Sequence, residues 1–284
     1  GPGQSRAVAF YAASFGLGAS LSFVVAGQAG AWLGWRWAFG LASIGPLVAF
    51  AIVGLLLEPR PPAQADGPRR GILDFRPVFA NRTVMACVLA YAAHNFELFA
   101  FRAWIVAFLT FSQGLQPPGG LAIEPTLVAA FLTLLGLPAS VGGNEMALRV
   151  GRRRWIIGVM TTSALVACVI GFTASLPMAV VLPVCVLYAM TVIADSAALT
   201  STVVAATDPS YRGAAMALYS SVGFAGSFAG PLVFGTVLDL AGGPSGTGWG
   251  LAFAAMGLGV ALGPAVLLAE RGLARRSGQG ASLG

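Results

Sequence analysis

Eight apolar runs, each long enough to cross a bilayer as a helix, constrain this chain more than any motif in it. They lie at roughly residues 7–32, 37–57, 83–112, 124–145, 154–174, 177–206, 212–240 and 248–269. About 20 apolar residues in a helix span a hydrocarbon core about 30 Å thick. The chain is 57% hydrophobic and only 9% charged, whereas soluble domains are about 25% charged. A water-soluble core could not hide so much apolar surface, so the solvent is lipid. There every backbone N–H and C=O must find an internal partner, which leaves helices or closed barrels. The runs are helix-length rather than short and alternating. The expected fold class is therefore an all-α membrane protein with eight transmembrane helices, its surface partner the lipid bilayer.

The charges sort by side. The formal charge of +6 comes from sixteen arginines and no lysine. An even number of spans puts both termini on one face. That face receives fourteen arginines: Arg6, Arg60, Arg69, Arg70, Arg76, Arg82, Arg149, Arg152, Arg153, Arg154, Arg212, Arg271, Arg275 and Arg276. The opposite face receives Arg36 alone, and Arg102 lies within a span. Basic residues collect on the cytoplasmic side of membrane proteins, so both termini are expected in the cytoplasm, with the chain in the cell (inner) membrane. The bias supports the span count too, since one helix more or fewer would scramble it. Aromatic residues sit in the apolar runs and not among the arginines, which argues against nucleic acid as a partner. Cys87, Cys168 and Cys185 fall in predicted spans without metal-ligand spacing and read as small packing residues. No ligand set and no nucleophile motif point to a metal, a cofactor or an enzyme.

The longest link, Glu58 to Arg82, begins Glu58-Pro-Arg-Pro-Pro-Ala-Gln-Ala-Asp-Gly-Pro-Arg-Arg70. This proline-rich tether cannot be helical throughout, and Asp74-Phe-Arg-Pro77 after it suggests a short surface helix. An internal repeat gives the tether a meaning. Gly34-Trp35-Arg-Trp-Ala38-Phe39 opens the second segment, and Gly248-Trp249-Gly-Leu-Ala252-Phe253 opens the eighth. A glycine-bearing helix behind a cytoplasmic arginine (Arg6, Arg212) precedes each. Segments one and two thus match seven and eight, a repeat of six helices in parallel orientation. Residues 1–57 are then expected to be the last two helices of one bundle, 58–82 the linker, and 83–284 a complete second bundle.

On this plan, and on two further motifs, the chain resembles the major facilitator superfamily, as a fragment equivalent to spans five to twelve; it also begins Gly1-Pro2-Gly3 without methionine. Gly143-Asn-Glu145-Met-Ala-Leu148-Arg149-Val-Gly151-Arg152-Arg153-Arg154 resembles the family's cytoplasmic signature loop. Arg149, Gly151, Arg152 and Arg153 match it. Leu148 stands at the aspartate position, with Glu145 the nearest acid and Arg149 four residues on. Gly226-Ser-Phe-Ala-Gly230-Pro231 resembles the Gly-Pro motif that exporters of the family carry in span five, but here it sits in span eleven. The resemblance implies secondary active transport of a small-molecule solute by alternating access, with spans seven and ten lining a central cavity. A non-transporting receptor or scaffold on the same fold is the alternative.

The third segment carries Tyr91, His94, Asn95, Glu97 and Arg102 among apolar residues. Ionisable groups at membrane depth cost about 2.5–3.5 kcal/mol each and persist where they face protein or a watery cavity. Counting 1.5 Å per residue from about residue 83 puts His94 about 16 Å deep and Glu97 about 21 Å deep. Asp195, eleven residues from the end of the sixth segment, is also about 16 Å deep, with Ser196 beside it. Glu97 lies roughly 60° from His94 around the helix and Arg102 about 80° to the other side, so Glu97 and Arg102 are each expected to find a partner elsewhere, or Arg102 to snorkel to the outer interface. Tyr91, His94, Asn95, Glu97, Arg102, Asp195 and Ser196 are the candidate substrate- and proton-coupling residues. Pro138, Pro183, Pro231 and Pro264 are candidate bending points.

Overall fold

The computed structural model describes residues 2–56 and 74–276, and among them eight helical stretches are long and apolar enough to cross a membrane. The proline-rich tether with Arg60, Arg69 and Arg70 lies outside the described residues. Helices α1 (Pro2–Leu33) and α2 (Trp35–Leu56) are joined through Gly34 alone. The short helix expected before the third segment is α3 (Arg76–Ala80), with its Pro77 in the first turn. Then follow α4 (Arg82–Gly114), α5 (Pro125–Leu134), α6 (Gly136–Val150), α7 (Arg152–Ile170), α8 (Met178–Ile193), α9 (Ser196–Ala206), α10 (Arg212–Leu240) and α11 (Gly246–Arg276).

Two segments expected as single helices are broken. The fourth divides at Leu135, between α5 and α6. Pro138 explains this: it has no N–H for the Leu134 carbonyl, and its ring crowds that carbonyl. The sixth divides at Ala194–Asp195, between α8 and α9, with no proline nearby. Pro183, Pro231 and Pro264, by contrast, sit within continuous helices. The signature segment also differs from expectation. Gly143, Glu145 and Arg149 belong to α6, and the link to α7 is the single residue Gly151. Its φ of +94° lies in the left-handed region, where a side chain is strained, so glycine lets the chain turn in one step.

Helix α4 sits at the centre of the packing among α4–α11. It packs on α10 and α11, and more lightly on α9, α5 and α8. The α4–α10 contact depends on Gly226 and Gly230. A Cβ on either would collide with the main chain of Ala92 or Phe96. In lipid, where apolar surface gains nothing by leaving the solvent, such close backbone approach is what holds helices together. On α1, Gly16 faces the Thr133 carbonyl, whereas Gly18 faces open space.

Two apolar clusters fill the bundle. One, containing Phe108, Tyr188, Phe234, Trp249 and Phe253, occupies the half away from the chain termini. The other, containing Val84, Val88, Ile156, Leu199 and Val260, occupies the half nearer them. On α4 the first cluster begins at Leu98 and the second ends at Ala93; on α8–α9 the first ends at Val192 and the second begins at Ala198. His94, Asn95, Glu97 and Asp195 fall in the gap between them. Helix α1 lies against α5 and α6, with Ser20 Oγ donating to the Ala130 carbonyl at 2.6 Å. Helix α2 buries no residue.

Candidate functional site

His94, Asn95, Glu97 and Asp195 are 1–2% exposed. These groups point into protein, as their desolvation cost requires. His94 Nδ1 of α4 lies 2.9 Å from Asp195 Oδ1. At that separation, with both groups buried, imidazole and carboxylate interact strongly through their charges and dipoles. Asp195 sits at the N-cap of α9, where an aspartate ordinarily accepts a hydrogen bond from the first turn. Here it makes no such bond, because its carboxylate is turned toward His94. The imidazole is also held by stacking. Tyr91 lies nearly parallel to His94 with ring centroids 5.7 Å apart, and Tyr219 of α10 stacks on Tyr91 at 3.9 Å. The Tyr219 hydroxyl meets Thr200 Oγ1 of α9 at 3.0 Å, which ties the stack back to the helix that begins just after Asp195.

Glu97 has a separate set of partners. Its Oε1 accepts hydrogen bonds from Ser163 Oγ of α7 and from the Tyr188 hydroxyl of α8, both at 2.8 Å. Neither donor was anticipated from the sequence. Tyr188 could have been, since it lies seven residues before Asp195 and so on the same helical face. Ser163 carries no comparable signal beyond lying on the inward stripe of α7. The Asn95 amide nitrogen is buried without a hydrogen-bond partner among the described residues, and it lies where a Cβ on Gly223 would stand. Ser196 donates to the Ile193 carbonyl at 2.9 Å and faces Ser140 of α6 at 3.4 Å. It therefore lies beside the helix break and not on the His94 ring. Arg102 is partly buried, with its guanidinium 5.9 Å from the Phe99 ring. The structure thus joins Tyr91, His94 and Asp195, puts Glu97 in the same layer with its own donors, and gives Ser196 and Arg102 other neighbours.

The signature residues divide in the same way. Arg149 and Gly151 are exposed, and Glu145 and Arg152 are partly buried. Gly143 packs against the backbone of Ala194. Arg153 pairs with Glu270 of α11 and donates to the Leu267 carbonyl, and Thr83 of α4 donates to Glu270 at 3.1 Å. This network clasps the ends of α4, α7 and α11, and Glu270 is a residue the sequence reading missed. Arg153 is 35% and Glu270 13% exposed, so screening limits the pair. A double-mutant cycle with Arg153→Met and Glu270→Gln should give a coupling energy of about 1 kcal/mol, read as unfolding in detergent or bicelles. Additive effects would show that the contact contributes nothing.

The family model described as Major Facilitator Superfamily matches residues 2–231. Comparison with curated proteins gave no match. The match covers most of the chain, the described residues form an all-helical arrangement of eight spans, and the ionisable groups are gathered inside it. This chain is a multi-pass membrane protein that belongs to the major facilitator superfamily, a family of membrane transporters, and carries a part of its twelve-helix fold.

Proposed function

We propose that the protein moves a small solute across the membrane as a secondary active transporter, by alternating access, with proton uptake and release at the layer formed by His94, Asp195 and Glu97. The observation that carries this reading is the short His94–Asp195 contact between two helices, buried inside the protein. A fixed apolar contact would join these helices at lower desolvation cost. A histidine facing a carboxylate changes its charge with small changes of surroundings. The proton affinity of each partner depends on solvation and on the distance between them. Any movement that parts α4 from α8–α9 changes both, so conformation and proton occupancy are linked.

The rest of the reading follows from this site. Helices α4 to α11 act as the C-terminal bundle, α1 and α2 belong to the N-terminal one, and residues 58–82 link the two. The arginine distribution supports cytoplasmic termini in the cell inner membrane. Tyr91 and Asn95 border the pair, and the Arg153–Glu270 clasp stabilises the cytoplasmic ends of the bundle.

The test is solute uptake into proteoliposomes with and without an imposed pH gradient, using a panel of labelled organic anions, cations and neutral solutes. Asp195→Asn and Glu97→Gln should lose most of the gradient-driven uptake while keeping downhill exchange. Wild-type uptake at every pH for both variants would eliminate proton coupling at this layer. Absence of flux for every solute in a protein that carries this chain within the full twelve-helix fold would favour a non-transporting role.

A further inference from the structure

The break at Ala194–Asp195 has no proline to cause it, yet it sets the position of the buried carboxylate. Its carbonyls show how it is held. The first backbone hydrogen bond of α9 runs from Leu199 N–H to the Asp195 carbonyl. The Ala194 carbonyl is instead met from another helix: Trp155 of α7 donates its indole N–H to it at 2.9 Å. From α6, Gly143 lies directly on the same Ala194 backbone, leaving no room for a Cβ. The carbonyl is thus fixed by a donor on one side and by close packing on the other, one residue before Asp195. A buried carbonyl without a partner is costly, so the indole makes the broken geometry a stable one.

We propose that Trp155 is a positioning residue for the His94–Asp195 pair: by capping the Ala194 carbonyl it fixes the α8–α9 break and therefore where the Asp195 carboxylate stands relative to the imidazole. Trp155 follows directly on Arg152, Arg153 and Arg154, and Arg153 is clasped to α11. The indole thereby joins the cytoplasmic clasp to the mid-membrane pair through a single residue of α7. The groups bearing on Asp195 are His94 and Glu97 of α4 and Tyr219 of α10, and Arg102 bears on His94. None of these is altered by changing Trp155. The inference rests on the pairing invoked in the transport reading, and the two can be tested apart.

The chain holds one histidine, so its imidazole signals need no assignment. With ring-15N histidine and the full chain in lipid nanodiscs, the imidazole shifts are followed from acid to mildly alkaline pH. Four forms are compared: wild type, Asp195→Asn, Trp155→Phe, and the chain carrying benzothienylalanine at position 155. The last keeps the bicyclic shape and lacks the N–H, so it carries the test if the phenylalanine variant does not fold. Both changes at 155 should displace the His94 signals in the same sense as Asp195→Asn, by roughly a third of its effect or more, as expected for coupled neighbours. If Asp195→Asn displaces the signals and the benzothienylalanine form matches wild type, the positioning role is overturned and the pair stands. If Asp195→Asn leaves them unchanged, the pairing itself fails.

Discussion

Replacing His94 by alanine is expected to destabilise the protein by about 3–5 kcal/mol, the usual result of removing one partner of a buried ion pair. Adding Asp195→Asn to that variant is expected to restore a substantial part of the loss. The Asp195 carboxylate is 2% exposed and faces the imidazole. Without His94 it would remain in a medium of low dielectric with no counter-charge, and an isolated buried charge is far more costly than a buried amide. Truncating an aromatic ring also leaves a cavity, worth up to several kcal/mol, but Asp195→Asn keeps the side chain the same size and cannot refill it. Recovery in the double variant therefore reports on charge alone. The measurement is reversible unfolding in bicelles for wild type, both single variants and the double variant. A double variant no more stable than His94→Ala would show that the two side chains do not interact.

The second large effect belongs to the α4–α10 seam. Gly230→Val is expected to cost about 3 kcal/mol or more, at the upper end of overpacking penalties. The new atoms would meet the main chain of Phe96, which cannot rotate away as a side chain could. Gly142→Ala on α6 is the control. It is exposed, with nothing within 4 Å of its added Cβ, and should be neutral or stabilising by up to about 1 kcal/mol from helix propensity. Thermal stability in detergent, with yield of monodisperse protein, separates the two. A Gly230→Val variant as stable as Gly142→Ala would mean that α4 and α10 do not approach this closely.

Much of the fold was legible because the bilayer imposes a length on every span. Apolar run length gave the number of spans, and arginine counting gave their expected orientation, without reference to packing. Depth counting also brought His94 and Asp195 to the same level, and the structure pairs them at 2.9 Å. Partners that approach from apolar stretches were not legible. Ser163 and Tyr188 reach Glu97 from helices whose sequences show little beyond hydrophobicity. Glu270 sits at the end of the last span, where an acid reads equally well as a solvated terminus, and only packing shows that it meets Arg153 and Thr83.

The two helix breaks mark the boundary between the two kinds of information. The break at Leu135 lies at Pro138, one of the prolines the sequence marks as a bending point, while Pro183, Pro231 and Pro264 leave their helices continuous. The break at Ala194–Asp195 follows from what meets it: an indole N–H from α7, Gly143 from α6 and an imidazole from α4. Hydropathy and charge act on each segment alone, so the chain by itself determined lipid immersion, span number and the common level of His94 and Asp195. Which group faces which depends on how the helices rotate and cross, which is fixed by close packing among many residues at once. Only the tertiary structure could decide that.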